Sequence, residues 1–514
     1  MYKKKDFVSD LVLALNKDEK RQFTILYGDS SKGVEPPLFY QLYSVYESGK
    51  NDLYKNNIPV EATSVTSAKR RLYNNLLRTL RDMNEDSSTD IFIQNKLTNV
   101  ELLYNHSLPE QSVLELNKAY GEAQKFEKFG LMLQLLEWEK RLNIVLPTPT
   151  RTLSEIKKEE REILKKFSQQ LDMESMYSHI LELKREIGYA KGRDKQRVEN
   201  ATIKSALMPK ESECMSNNAR FYRHYIYAIY YWMTFNHKEA YNHSRRLIDY
   251  DQHNIQPNDY IHGIFQHITS SVCLGLFSDT LNGIALAEAF TSQYRLNQSL
   301  PFSGILFAYH VNYKMIVLNY MGSQKQLKDF IQKVELRLRD SGKTIPADAL
   351  QIIFANLMVS YMGLDLLDKA AEVRKRLLDL KKKINIRLDI LTDVYFFQLF
   401  MLMQAKSYDL IKPAAESALR FFRKNEDAQM VFEVEMPIAL LLSKAYNYED
   451  KKVLPMLLSK CRNTVNDYIS KLKGTIKFQE HYTRYLIWFD AIERGIPFHQ
   501  AAREWYQEFK GVNQ

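Results

Sequence analysis

Glycine and proline are scarce, 17 and 14 in 514 residues, and that shortage removes the turn punctuation that many short strands and tight hairpins require. Helices are what remains. Cysteine is scarcer still. Cys214, Cys273 and Cys461 are odd in number and far apart, which fits neither a disulfide framework nor a paired zinc knuckle and is expected of a reducing compartment. Long apolar runs are also missing. The most apolar windows, 226–235 and 394–403, are about half the roughly 20 residues that a bilayer span needs, so no membrane span is expected. Residues 1–15 place Lys3, Lys4 and Lys5 before an apolar stretch that Asp6 and Asp10 interrupt. No small-residue cleavage site follows, so a signal peptide is not expected and the cytoplasm is.

Catalytic signatures are absent in the same way. There is no HExxH, and His262 and His267 stand at i and i+5, on different faces of a helix. No GxSxG elbow occurs, and no cysteine lies in a motif that would activate its thiolate. Gly342, Lys343 and Thr344 reproduce the end of a phosphate-binding loop, but Arg337 stands where its leading glycine belongs. No catalytic residue, metal or cofactor is therefore expected, and the chain reads as a non-enzyme. Charge of one sign is not abundant either. The net charge of +10 comes from 72 basic against 62 acidic residues, a small excess for this length, with no charged tail.

What is present is a large supply of apolar side chains, 45% of the chain, beside 26% charged residues. That is ordinary for a folded protein. The length exceeds what one hydrophobic core usually serves, so several domains or a repeat array are expected. Residues 1–84 read as a small helical unit, with helices near 5–15, 17–28, 36–48 and 64–83. Asn16 followed by Glu19 is a helix-start pair. In helix 64–83, Val65, Leu72, Tyr73, Leu76, Leu77, Leu80 and Met83 are predicted to pack, while Arg70, Arg71, Arg78 and Arg81 form an opposite basic face. A helix-turn-helix within this unit would make those arginines phosphate contacts. The polar segment 84–89 marks a boundary. Residues 91–210 follow as helical hairpins, with a break at Pro147 and Pro149 and two charged helices predicted at 153–171 and 173–191.

Beyond residue 215 a repeat is visible. Ala228 and Tyr231 in one helix are followed by Ala240 and Leu247 in the next; at 351–382, Tyr361, Gly363, Ala370 and Leu377 take comparable places. This spacing of small, aromatic and aliphatic positions resembles the tetratricopeptide repeat. With Ala240 as a ruler, the next positions are Thr280, Gln326, Ala370, Ile411 and Lys452, in steps of 40 to 46 residues, longer than the family's roughly 34. The array, 215–475, is thus a degenerate one, with terminal capping helices expected at 477–514. Residues 14–23 (ALNKDEKRQF) and 68–81 (AKRRLYNNLLRTLR) also resemble an uncharacterised bacterial family of helical-repeat proteins, a likeness that implies no activity.

The expected fold is therefore all-α, a right-handed α-solenoid of stacked helical hairpins with a small helical N-terminal unit. The tetratricopeptide resemblance implies that Tyr227, Ala228 and Tyr231 pack inside the solenoid. It also implies that Tyr222, Tyr225, Ile229 and Trp232 face a concave groove, with Phe396, Phe400 and Met403 further along it. The expected function is a scaffold or adaptor that binds a protein or peptide in that groove. The alternative is a transcriptional regulator whose N-terminal unit grips DNA through the four arginines. Oligomeric state is left open.

Overall fold

The computed structural model describes the chain apart from residues 1–5, 29–35, 49–61, 85–87, 150, 191, 251–254, 295–299, 342–344, 382–385, 427–431, 446, 449–451, 472–479 and 514. Residues 85–87 of the polar segment 84–89 and the Gly342–Lys343–Thr344 sequence fall outside the described residues. Among those described there are 23 α-helices and no strand. The chain divides into two compact units, Met1–Phe167 and Ser168–Gln514.

The first unit opens with α1 (Phe7–Ala14), α2 (Lys17–Tyr27), α3 (Leu38–Glu47) and α4 (Ala62–Met83). Asn16 and Glu19 form the expected capping box at α2. Phe23, Phe39, Leu42, Tyr43, Leu72 and Leu76 make one buried cluster. Tyr46 and Lys69 both donate to the Asp6 carboxylate, at 2.8 and 2.6 Å. A separate cluster, including Ile93, Leu116, Leu135, Leu136 and Ile156, is built by α5 (Thr89–Asn105), α6 (Pro109–Lys125), α7 (Phe129–Val145) and the start of α8 (Leu153–Ile187). The double-proline segment separates α7 from α8 as expected. Arg151 closes that connection with a bidentate bond to Glu139 and a second carboxylate partner, Glu159.

One helix stands where two were predicted. No glycine or proline interrupts 153–187, so α8 continues unbroken for 35 residues, beginning in the first unit and ending in the second. In the second unit it is followed by α9 (Gly192–Ala201) and then by helical pairs. These are α10 (Asn217–Met233) with α11 (His237–Ile248), α12 (Pro257–Cys273) with α13 (Phe277–Gln293), α14 (Leu300–Tyr320) with α15 (Gln324–Ser341), and α16 (Ala347–Gly363) with α17 (Leu367–Leu380). The pairs α18 (Leu388–Gln404) with α19 (Ile411–Glu426) and α20 (Glu435–Lys444) with α21 (Val453–Lys471) complete the series, before α22 (Glu480–Arg494) and α23 (Phe498–Asn513). Each pair packs on the next through its first helix, α10 on α12, α12 on α14, and onward to α20.

The same bend recurs between paired helices. A residue with positive φ follows the first helix, and the next N–H returns to the carbonyl five residues back, the Schellman pattern. It is seen at Phe235 (φ 62°) with Asn236 N–H to Tyr231 O, at Gly275 (φ 71°) with Leu276 to Ser271, and at Gly322 (φ 61°) with Ser323 to Leu318. Asp365 (φ 61°) with Leu366 to Tyr361 and Lys406 (φ 54°) with Ser407 to Leu402 continue the row. The ruler residues Ala240, Thr280 and Ala370 are fully buried, each at the fourth position of its helix. In α15 that position belongs to Leu327, one residue after the predicted Gln326.

Candidate functional site

All seven residues predicted to line an open groove, Tyr222, Tyr225, Ile229, Trp232, Phe396, Phe400 and Met403, are buried, with exposures of 6% or less. Their neighbours on the other side of α10 pack on α11. Tyr227 and Tyr231 stack on His243 of α11, at 5.0 and 5.7 Å between ring centroids, and Ala228 is fully buried. The seven are buried because other helices of the same chain lie over them.

The second half of α8 covers α10. Its Tyr177 ring meets those of Tyr222 and Tyr225 at 5.3 and 4.8 Å. Lys184 stands over the Trp232 ring at 4.9 Å and donates to Gln266 Oε1 of α12 at 2.9 Å. Tyr189, just past the helix, stacks on Trp232 and Phe235. The Ala190 N–H reaches Met233 O at 2.8 Å. At the C-terminal end of α8, Gly188 (φ 72°) sits against the Arg387–Asp389 ion pair at the start of α18; a Cβ there would lie 3.1 Å from Asp389 Oδ2. A guanidinium beside a helix C-terminus also complements the helix dipole.

Periodicity explains this docking. Met173, Met176, Tyr177, Ile180 and Leu183 are buried in the core of the second unit, whereas Ser175, Ser178, His179, Glu182, Arg185 and Glu186 are exposed. One stripe at i, i+3, i+4 and i+7 is engaged, and the back of the helix is in water. Beneath it, Tyr222 Oη donates to Asp259 Oδ2 at 2.6 Å and Tyr225 Oη to the His262 carbonyl at 2.8 Å, tying α10 to α12. Burial pushes the Asp259 carboxyl up and the hydrogen bond from Tyr222 opposes it. Burial, with Arg387 nearby, pushes Lys184 down to about 8. Among the described residues, no carboxylate forms an ion pair with it.

The α18 part of the predicted groove is covered by α22. Tyr485 lies 4.7, 5.6 and 5.8 Å from Phe396, Phe397 and Phe400, and Phe489 packs on Phe400 at 5.2 Å. Asp393 of α18 faces Arg484 and Tyr485. The next helix, α23, runs along the bends of three earlier pairs. Tyr506 meets Phe277, Trp505 meets Tyr320, Arg503 donates to the Gly322 carbonyl at 3.1 Å, and Phe498 lies beside Gly363. The terminal pair therefore folds back over the start of α13 and over α14, α16 and α18 as well as packing on α21. At Gly322 any Cβ would lie 2.7 Å from Arg503 Cβ.

The four candidate arginines are placed differently. Arg70, Arg71, Arg78 and Arg81 are all exposed on α4, opposite a buried stripe of Val65, Ala68, Leu72, Leu76 and Thr79. Tyr73 and Leu77, predicted to pack, are 40% and 38% exposed, because that stripe is centred nearer Ala68 and Leu72. Arg71 lies over the Phe39 ring at 4.9 Å. Among the described residues, none of the four is in an ion pair. Arg78 and Arg81 open onto a polar cleft of about 620 Å³, lined also by Asn74, Leu77 and Asp82 of α4 and by Asn95, Thr98 and Asn99 of α5. The α5 residues carry no motif that would single them out in sequence.

Several other titratable groups face inward. His224 and His243 meet Nδ1 to Nδ1 at 2.9 Å, and burial pushes them down to about 4 and about 3, leaving a neutral donor–acceptor pair. Burial likewise pushes the buried Cys461 thiol up to about 12. Among the described residues, no three His, Cys, Asp or Glu side chains are grouped as for a metal, and no helix is long and apolar enough to cross a membrane. Compared with known proteins, the chain matches no family model and no curated sequence.

Proposed function

We propose that this chain is a non-enzymatic scaffold or adaptor that binds a protein or peptide along the face shared by the first helices of its pairs. The fuller reading is that residues 215–475 form a right-handed, tetratricopeptide-like solenoid whose concave side is that face. One observation supports it above the rest: an amphipathic helix, the second half of α8, lies on this face by the i, i+3, i+4, i+7 anchoring with which helical ligands fill grooves. Aromatic anchors such as Tyr222, Tyr225 and Trp232 are the residue types on which such interfaces concentrate their energy. Affinity capture from an extract of the native cells, after nuclease treatment, tests the proposal. A protein retained through the nuclease step and displaced by a peptide of residues 170–190 is expected; no protein that the peptide displaces would rule the reading out.

A second reading, a regulator that contacts DNA through residues 1–84, is favoured by the exposed arginines and the polar cleft beside them. Phosphate contacts make binding steeply salt-dependent. Duplex DNA binding that weakens with salt and is lost in Arg70→Ala/Arg71→Ala/Arg78→Ala/Arg81→Ala is the result this reading requires. Wild-type protein that binds no duplex at low salt would end it.

A further inference from the structure

The second half of α8 covers the face proposed above for partner binding, and its contacts describe what that face accepts. We infer that residues 173–190 are a displaceable intramolecular occupant of the α10–α12 face, and that the external partner is an amphipathic helix carrying the same pattern of apolar and aromatic anchors. The inference rests on the adaptor reading and says what the partner is made of.

Three observations carry it. The engagement is one-sided: Met173, Tyr177, Ile180 and Leu183 are buried while Ser178, His179, Glu182 and Arg185 are in water, as in a helical ligand and unlike α12, which is buried nearly all round. The segment ends where the backbone can turn. Beyond the helix Gly188 and Gly192 both hold left-handed backbone, at φ 72° and 53°. Hinges of this kind are a few element-terminal residues that absorb the backbone change. Third, the fit is imperfect. Lys184 is carried onto the face with a neutral amide and a ring as its polar partners, and the Trp232 indole N–H beneath has no hydrogen-bond partner among the described residues. An external helix with an apolar residue in place of Lys184 would fit better, so the face can discriminate between its own occupant and a partner. The occupant has the advantage of tethering, which raises its effective concentration to the millimolar range for a short connection. A partner must exceed it in contacts.

Two measurements on the full chain test this. In hydrogen exchange, the amides of residues 173–187 are expected to exchange at least tenfold faster than those of α10 and α12, because the occupant opens while the array stays folded. In fluorescence anisotropy, a labelled peptide of residues 170–190 carrying Lys184→Met is titrated with wild-type chain and with a Leu183→Ala chain. At least tenfold tighter binding to the Leu183→Ala chain is expected, since weakening the tethered copy vacates the face. Exchange of residues 173–187 at the same rate as α12 would overturn the inference without any variant, since the segment then opens only with the whole unit. So would a folded Leu183→Ala chain that fails to bind the peptide. Peptide binding without any captured cellular protein would uphold the face and its occupant while removing the adaptor role.

Discussion

At the scale of single residues, two side chains work against the fold that holds them. Lys406 occupies a left-handed bend with φ 54° and is exposed. Gly275 and Gly322 hold the equivalent bends without a Cβ penalty. A left-handed L-residue costs roughly 1–2 kcal/mol, so Lys406→Gly is expected to stabilise the second unit by about 1 kcal/mol, read as a rise in thermal midpoint. The other is Lys184, held at about 8 against an ordinary 10.5. Its depressed value means that the docked form binds fewer protons than the undocked one, so docking is penalised below about pH 8 and the penalty fades toward pH 10.5. That shift corresponds to a penalty on the order of 3 kcal/mol. The groups facing it are Trp232, Gln266, His262, Cys273 and Arg387. Lys184→Met is therefore expected to stabilise the docked α8 at pH 7 by about 1–3 kcal/mol, and its advantage over wild type should shrink between pH 8 and 10.5. An advantage that is flat with pH would exclude the lysine charge as the cause.

At the scale of elements, what holds the unit together is helices laid over other helices' aromatic faces. Five buried anchors on α8 at about 1.5–3 kcal/mol each, an upper range, outweigh the lysine penalty, which is why the segment docks. On the opposite part of the array Tyr485 is fully buried among Phe396, Phe397 and Phe400. Its truncation to Ala should cost about 3–5 kcal/mol, measurable by denaturant unfolding. A loss under 1 kcal/mol would mean that α22 does not seal α18. Much of the element order was legible: the capping box at α2, the break at the prolines and the buried ruler positions Ala240, Thr280 and Ala370 all follow from local pattern. The continuity of α8 was not, because its alternation of charge reads equally as one helix or two. The bends were hidden for another reason. Phe, Asp and Lys fill left-handed positions where glycine would have announced them.

At the scale of the molecule, the pattern of apolar faces in a sequence says that a face must be covered and not what covers it. Tetratricopeptide spacing puts Tyr222, Tyr225, Ile229 and Trp232 on one side of α10, which reads as an open groove. The cover, Tyr177 to Ala190, is a separate element whose own stripe looks like any amphipathic helix. The covering of Phe396 and Phe400 by α22 is similarly long-range, a match between segments some ninety residues apart. By contrast, the arginine face of α4 was readable, since one helix carries all of it; the cleft residues Asn95, Thr98 and Asn99 come from the next helix and carry no signal of their own.

The most direct test is photo-crosslinking from position 177. The full chain is produced with p-benzoylphenylalanine in place of Tyr177, irradiated, digested and mapped. Crosslinks to the segment around Tyr222 and Tyr225 are the predicted result, suppressed when an excess of the 170–190 peptide carrying Lys184→Met is added. Crosslinks elsewhere, or none to α10 or α12, would contradict the central claim that the chain covers its own recognition face.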